Sequence, residues 1–339
     1  MDNSHLGGSQ KRVSQFSYIK AISCFAIVLI HCINSARVYH ADNISAADTL
    51  FAHAACSALM WAVPCFLMVT GALLLNRERV IPLSKLSGKY IRRMITALII
   101  FTAVFTLMKH YGASSEELVH AFIDGLLHNH CMVYLWYIYL MIVLYLMMPF
   151  YKAIVNRASD RALWVITAVL LIICSLLPMA SYAGVDAVLK IPTQIVYGVY
   201  PLLGFLLHRH RMDARIAAVL AVVCTIALPL ITCVLTPLEI DASGFSGYNS
   251  PIVVLQSAAL YSLMLSIKRP AGELILDFDR CSFGIYLIHM IFVRLIMRNW
   301  GFDPFALGAA SIFVLAVIIF YASFIMTDLL KKLRIFSFL

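Results

Sequence analysis

The sequence predicts an all-α polytopic membrane protein, with about ten transmembrane helices and both the N- and C-termini cytoplasmic. Three observations predict it. The 339 residues are 62% hydrophobic and only 13% charged, with a mean hydropathy of +0.90, whereas soluble domains carry about 25% charged residues. The apolar residues form long continuous runs without strand-like alternation. A backbone in lipid must close its own hydrogen bonds, so such runs are helices rather than barrel strands. Finally, the basic residues favour alternate loops. With the N-terminus inside, 21 of the 26 lysines and arginines fall on the cytoplasmic side, the asymmetry that orients membrane proteins.

Residues 1–15 read as a cytoplasmic tail carrying Lys11 and Arg12, 16–330 as one transmembrane domain, and 331–339 as a second cytoplasmic tail with Lys331, Lys332 and Arg334. The first span, 16–33, is followed by further spans and by no small-x-small cleavage site, so it is not a signal peptide. The second, 51–75, ends at Arg77 and Arg79. A short amphipathic interfacial segment is expected over 81–89, with Lys85 and Lys89. It leads into the third span, 90–108, which opens on Arg92 and Arg93. The fourth, 131–148, is rich in aromatics. Lys152, Arg157 and Arg161 separate it from the fifth, 162–180. The sixth and seventh, 192–207 and 214–235, flank Arg209, Arg211 and Arg215. The eighth and ninth, 251–267 and 281–296, flank Lys268, Arg269 and Arg280. The tenth is 305–330. Five basic residues break the rule and fall outside: Arg37, Lys109, Lys190, Arg294 and Arg298.

These placements exclude some functions. A net charge of +9 suggests nucleic acid, but the cations sit in short loops between spans and not on one soluble face, so no nucleic-acid partner is expected. The nine cysteines have no CxxC spacing and lie mostly in apolar runs, where they serve as small core residues. His128, His130 and Cys131 have a loosely metal-like spacing without the further ligands of a zinc site, so no metal is expected.

Ionisable residues inside spans are costly and are functional candidates. His31 is the sharpest. Lys20 lies eleven positions earlier, about three full turns and roughly 16 Å of rise, so both share one helix face. A cation at the cytoplasmic surface and a deep imidazole on one stripe suit a long substrate with an anionic head and a reactive tail. The spacing is equally compatible with Lys20 as a snorkelling anchor and His31 as an interhelical hydrogen-bonding group. Arg92 and Arg93 could hold a phosphate-bearing molecule in a forked, bidentate way, or could simply orient the span. Trp136 and Tyr137 of the fourth span, and Tyr286 and His289 on one face of the ninth, are candidate substrate or oxyanion contacts. Interfacial placement and helix–helix hydrogen bonding are the competing readings.

Five segments, in order, carry a family resemblance: "FSYIKAISCFAIVLIHCI", "VPCFLMVTGALLLNRE", "YLWYIYLMIVLYLMMPF", "VYGVYPLLGFLLHRHR" and "CSFGIYLIHMIF". Together they resemble the acyltransferase-3 family of membrane acyltransferases. The likeness extends from about Phe16 to the C-terminus, and within the family it is to the compact O-acetyltransferase type, similar to that of enterobacterial common antigen. Lys20 and His31 match the basic residue and histidine of the family's first helix. Ser17 stands where members often have Asp, Lys20 where Arg is commoner, and adjacent Arg92 and Arg93 where the motif often reads Arg-x-Arg. The resemblance implies a multi-pass enzyme of the bacterial cytoplasmic (inner) membrane. It implies acetyl-CoA or another acyl-CoA as cytoplasmic donor, its phosphates met by Lys20, Arg92 and Arg93. The acceptor would be a sugar hydroxyl of a cell-surface or lipid-linked glycan, and His31 the general base or covalent acyl relay. The competing function is a glycan or lipid transporter or flippase of the same family. Against it, no acidic residue is expected at the centre of a span to couple transport to protons or sodium.

Overall fold

The computed structural model describes residues 14–79, 82–183, 192–238, 243–333, 336 and 338–339. Lys11, Arg12, Lys190, Arg334 and the start of the interfacial segment at Ile81 lie outside the described residues, as does most of the expected 1–15 tail. The described elements are helical throughout: α1 (Ser14–Tyr39), α2 (Ala46–Ala58), α3 (Ala62–Leu74), α4 (Arg92–Lys109), α5 (Ser115–His128), α6 (Trp136–Arg157), α7 (Asp160–Leu171), α8 (Val196–Arg209), α9 (Ala214–Leu235), α10 (Pro251–Leu265), α11 (Glu273–Val293) and α12 (Ala309–Lys331), with short helical turns between them.

Polar caps start several helices. Ser45, Ser159 and Ser250 each accept from a backbone N–H of the first turn, and Asp213 accepts from both Arg215 and Ile216. Ser114 and Glu117 form a reciprocal capping box on α5, satisfying donors that a helix start leaves open. Asn129 ends α5 in the left-handed region, φ 56°. The break between α2 and α3 follows from Pro64, which has no N–H for the carbonyl four residues back and whose ring crowds it. The carbonyl of Ala58, freed at this break, accepts from the buried Gln256 amide of α10 at 2.9 Å, which keeps that oxygen paired in the apolar interior.

Among the described residues, eight helical stretches are long and apolar enough to cross a membrane. The sixth and eighth expected spans are instead the shorter α8 and α10, of 14 and 15 residues, against about 20 for a perpendicular crossing. Both are wrapped by protein. α8 packs against α3 and α7, and α10 against α9, α1 and α3. The fifth span lies close to its expected limits, whereas the fourth, Val133–Arg157, runs nine residues past its expected end. The ninth begins eight residues early, at Glu273, so the segment Glu273–Asn299 takes in Asp279 and Arg280. The expected interfacial segment is a three-residue helix, Leu83–Lys85, running through a wider turn, Leu86–Ile91, into α4.

Burial sorts the bundle into layers. In its most apolar window the α2–α3 stretch is 67% buried, as is Glu273–Asn299, but Ala214–Leu238 only 22%. α1, α3 and α11 therefore form the inside. α7 and α9 are peripheral, presenting exposed Val165, Val169, Val219 and Val223, as lipid-facing helices do. α1 packs along α11, α3 and α12, which places its polar residues at the centre of the molecule.

Candidate functional site

One stripe of α1 organises two cavities. Lys20, Cys24, Ile27 and His31 recur at intervals of four, three and four residues, the spacing of a single helix face. Lys20, Cys24 and Ile27 line a cavity of about 460 Å³. Ile27, His31 and Asn34 line a second, of about 600 Å³. Ile27, Tyr137 and Tyr286 belong to both linings, and the cavities meet there. Lys20 and His31 thus share a face, as their spacing predicts, but open into different chambers.

The first cavity is basic. Lys20 pairs with Asp279 of α11, whose other carboxylate oxygen accepts from Ser17 Oγ at 2.7 Å. Asp279 is buried, and the sequence reading missed it because the ninth span was started two residues beyond it. Arg93 lines the same cavity, its guanidinium 4.5 Å from the centre of the Phe283 ring. It also donates to the main-chain oxygens of Phe338 and Leu339. Arg92 is not brought there. Neighbouring residues on a helix point about 100° apart, and Arg92 is exposed outside the lining. The forked pair expected of the two arginines is therefore not formed, and Arg93 alone faces the chamber. Arg280 and Lys331 complete the lining. Sequence reasoning had counted both only as orienting loop charges.

The second cavity is aromatic and holds the histidines. The His31 ring lies 5.1 Å from that of His289 and 5.9 Å from Tyr134. His289 Nδ1 meets the Ile285 carbonyl at 3.1 Å. A carbonyl only accepts, so in the neutral ring the proton is on Nδ1, and Nε2 is left buried without a partner. His289 and Arg294, both buried, come from the same inner helix and the turn that follows it. Tyr134 donates to the Leu287 carbonyl at 2.8 Å, and Tyr286 donates back to the Tyr134 carbonyl. This reciprocal bond clamps the entry of α6 to α11. It also consumes the single proton of each hydroxyl, which removes Tyr286 as an oxyanion donor. Tyr137 makes no hydrogen bond and lies 5.5 Å from the Tyr286 ring, so of the two tyrosines considered it alone keeps a free hydroxyl at the junction. Trp136 stands 5.7 Å from Tyr248. Tyr134 and Tyr248, not singled out in the sequence, belong to this cluster. Tyr134 lies in an aromatic-rich span entry and Tyr248 in a loop of small and polar residues, and neither setting signals a place in a shared cavity.

The "HNHC" segment gains a partner that its spacing does not reveal. Asp124, one turn back on α5, accepts from His128 Nδ1 at 3.0 Å and from His130 Nδ1 at 2.9 Å. The hydrogen bond from His130 is the first cause holding the Asp124 carboxyl below the usual carboxylate range. All three side chains are exposed and satisfy one another, and His130 also borders the cavity of about 600 Å³ that His31 lines.

A family model described as an acyltransferase domain matches residues 13–327. No curated relative and no solved structure matches the chain. The match spans nearly the whole chain and takes in the shared wall, the two histidines and the described lining of both cavities except Lys331: the chain belongs to the acyltransferase-3 family of membrane acyltransferases.

Proposed function

We propose that the protein is a membrane O-acyltransferase, in the simplest case an O-acetyltransferase, that moves an acyl group from acyl-CoA to a sugar hydroxyl of a cell-surface or lipid-linked glycan. The observation that carries this reading is the pair of cavities meeting at Ile27, Tyr137 and Tyr286, with His31 in the second cavity, one turn of α1 beyond Ile27. Two substrates can enter from the two ends of α1 and meet at one imidazole. The basic chamber of Lys20, Arg93, Arg280 and Lys331 suits the phosphates of the donor, and its position near the loop cations makes that end cytoplasmic. In this reading the chain crosses a bacterial inner membrane ten times with both termini inside, α8 and α10 included, and is of the compact type that acts on glycans such as enterobacterial common antigen.

His31 takes the proton of the acceptor hydroxyl as its oxygen attacks the thioester carbonyl. The carbon–sulfur bond breaks and the thiolate leaves, to be protonated in turn. An imidazole suits that exchange near neutral pH. Tyr137 supplies a hydroxyl for the developing oxyanion. His289 Nε2, an acceptor without a partner on a ring 5.1 Å from that of His31, is positioned to orient the base. The test is transfer of label from radiolabelled acetyl-CoA to lipid-linked glycans by purified protein. His31→Ala should reduce transfer about 10²–10⁴-fold and leave acyl-CoA binding unchanged. A trapped acyl-enzyme on His31 would convert the base into a covalent relay. Near-wild-type transfer by His31→Ala would overturn the mechanism.

A further inference from the structure

Four of the five basic residues that break the positive-inside pattern line one chamber. Arg37 at the end of α1, Lys109 at the end of α4, and Arg294 and Arg298 beyond α11 all border the 600 Å³ cavity. They come from three separate elements, so neighbouring positions in sequence do not explain their convergence. No aspartate or glutamate is among the described residues of that lining, and none of the four makes an ion pair with a described residue. Arg294 is 5% exposed. Its one hydrogen bond is a long one to the Met108 carbonyl, 3.5 Å, and its Nε has no partner. Arg37 repeats the pattern, with Nη2 3.5 Å from Asn34 and Nε buried and unpaired.

Buried guanidinium groups are costly unless paired, and headgroup anchors would face outward and not into a cavity. Trp136, Tyr137 and Tyr248 supply flat walls in the same chamber, the surfaces on which sugar rings stack. We propose that this chamber binds an anionic saccharide: the acceptor carries a carboxylate or phosphate that the Arg37, Arg294 and Arg298 group recognises. The assignment of the chamber to the acceptor rests on the acyltransferase reading. Arg37 lies six residues beyond His31 on α1, roughly 9 Å along the axis. The charge and the reacting hydroxyl therefore sit on the same sugar or on adjacent ones.

The test measures binding to the purified full-length protein without any donor. The probes are trigalacturonic acid, glucose 1-phosphate, neutral cellotriose and free CoA. Both acidic saccharides should bind at least about tenfold more tightly than cellotriose, in a salt-sensitive way. A preference for the first places the charge on the glycan itself; a preference for the second places it at a phosphate linkage. Arg294 is buried and its replacement risks the fold, so the more accessible pair Arg37→Gln/Arg298→Gln is the main variant. It should weaken acidic probes about tenfold and leave cellotriose and CoA unchanged. Equal binding of neutral and acidic saccharides, absence of acidic binding, or loss of CoA affinity in the double variant would overturn the proposal. Acidic binding without any label transfer from acetyl-CoA would keep this site and remove the acyltransferase reading; transfer to neutral glycans alone would do the reverse.

Discussion

His289 separates a structural role from a functional one. Its Nδ1 is satisfied by its own helix, and its Nε2 is a buried lone pair with nothing to accept. An orphaned polar atom in the interior costs on the order of 1–3 kcal/mol. A histidine kept only for packing would be better replaced by an apolar ring. His289→Phe should therefore hold or raise the thermal midpoint while lowering acyl transfer; a clear drop in the midpoint with transfer intact would make His289 a packing residue. From sequence, His31 and Lys20 could be placed on one face because helical spacing alone decides it. The neighbour of His31 could not, since it comes from a helix more than 250 positions away. Asp279 was hidden for a related reason. A buried carboxylate beside a lysine reads as the edge of a span until the partner helix is in place.

The crossing of α3 and α8 shows what the glycine-containing motifs do. A Cβ on Gly71 would stand 1.9 Å from the Pro201 carbonyl oxygen, and one on Gly204 would stand 2.2 Å from that of Met68. Each helix thus presses its backbone into the glycine of the other, the close approach that small residues allow between membrane helices. Backbone cannot give way as a side chain can, so Gly204→Ala should destabilise by at least about 1–3 kcal/mol, read as a lower unfolding midpoint in detergent. An unchanged midpoint would mean that the two helices separate freely. Both glycines stand in segments that the sequence singles out by resemblance, but resemblance gives no reason for them. Whether α8 and α10 count as crossings was illegible for a physical cause: a helix enclosed by protein and one immersed in lipid are apolar on all sides alike, and composition does not distinguish them.

At the scale of the molecule, charge placement makes the firmest statement. Cysteine-accessibility labelling should find the 209–215 loop and the 244–250 segment on opposite sides of the membrane, because α9 lies between them. Modification of both from one side would remove a crossing. The same count of charges that orients the bundle also set apart the Arg37 group, whose gathering around one chamber no linear pattern could reveal. The shared wall between the chambers has a further meaning. A bundle hollowed from both ends of its central helix is nearly a channel, and Ile27, Tyr137 and Tyr286 are what stop it from being one. A bilayer that stores energy as a proton gradient loses it through any continuous file of water. On the proposed function these side chains double as an electrical seal, and the fold lets two reactants touch across a partition that ions do not pass.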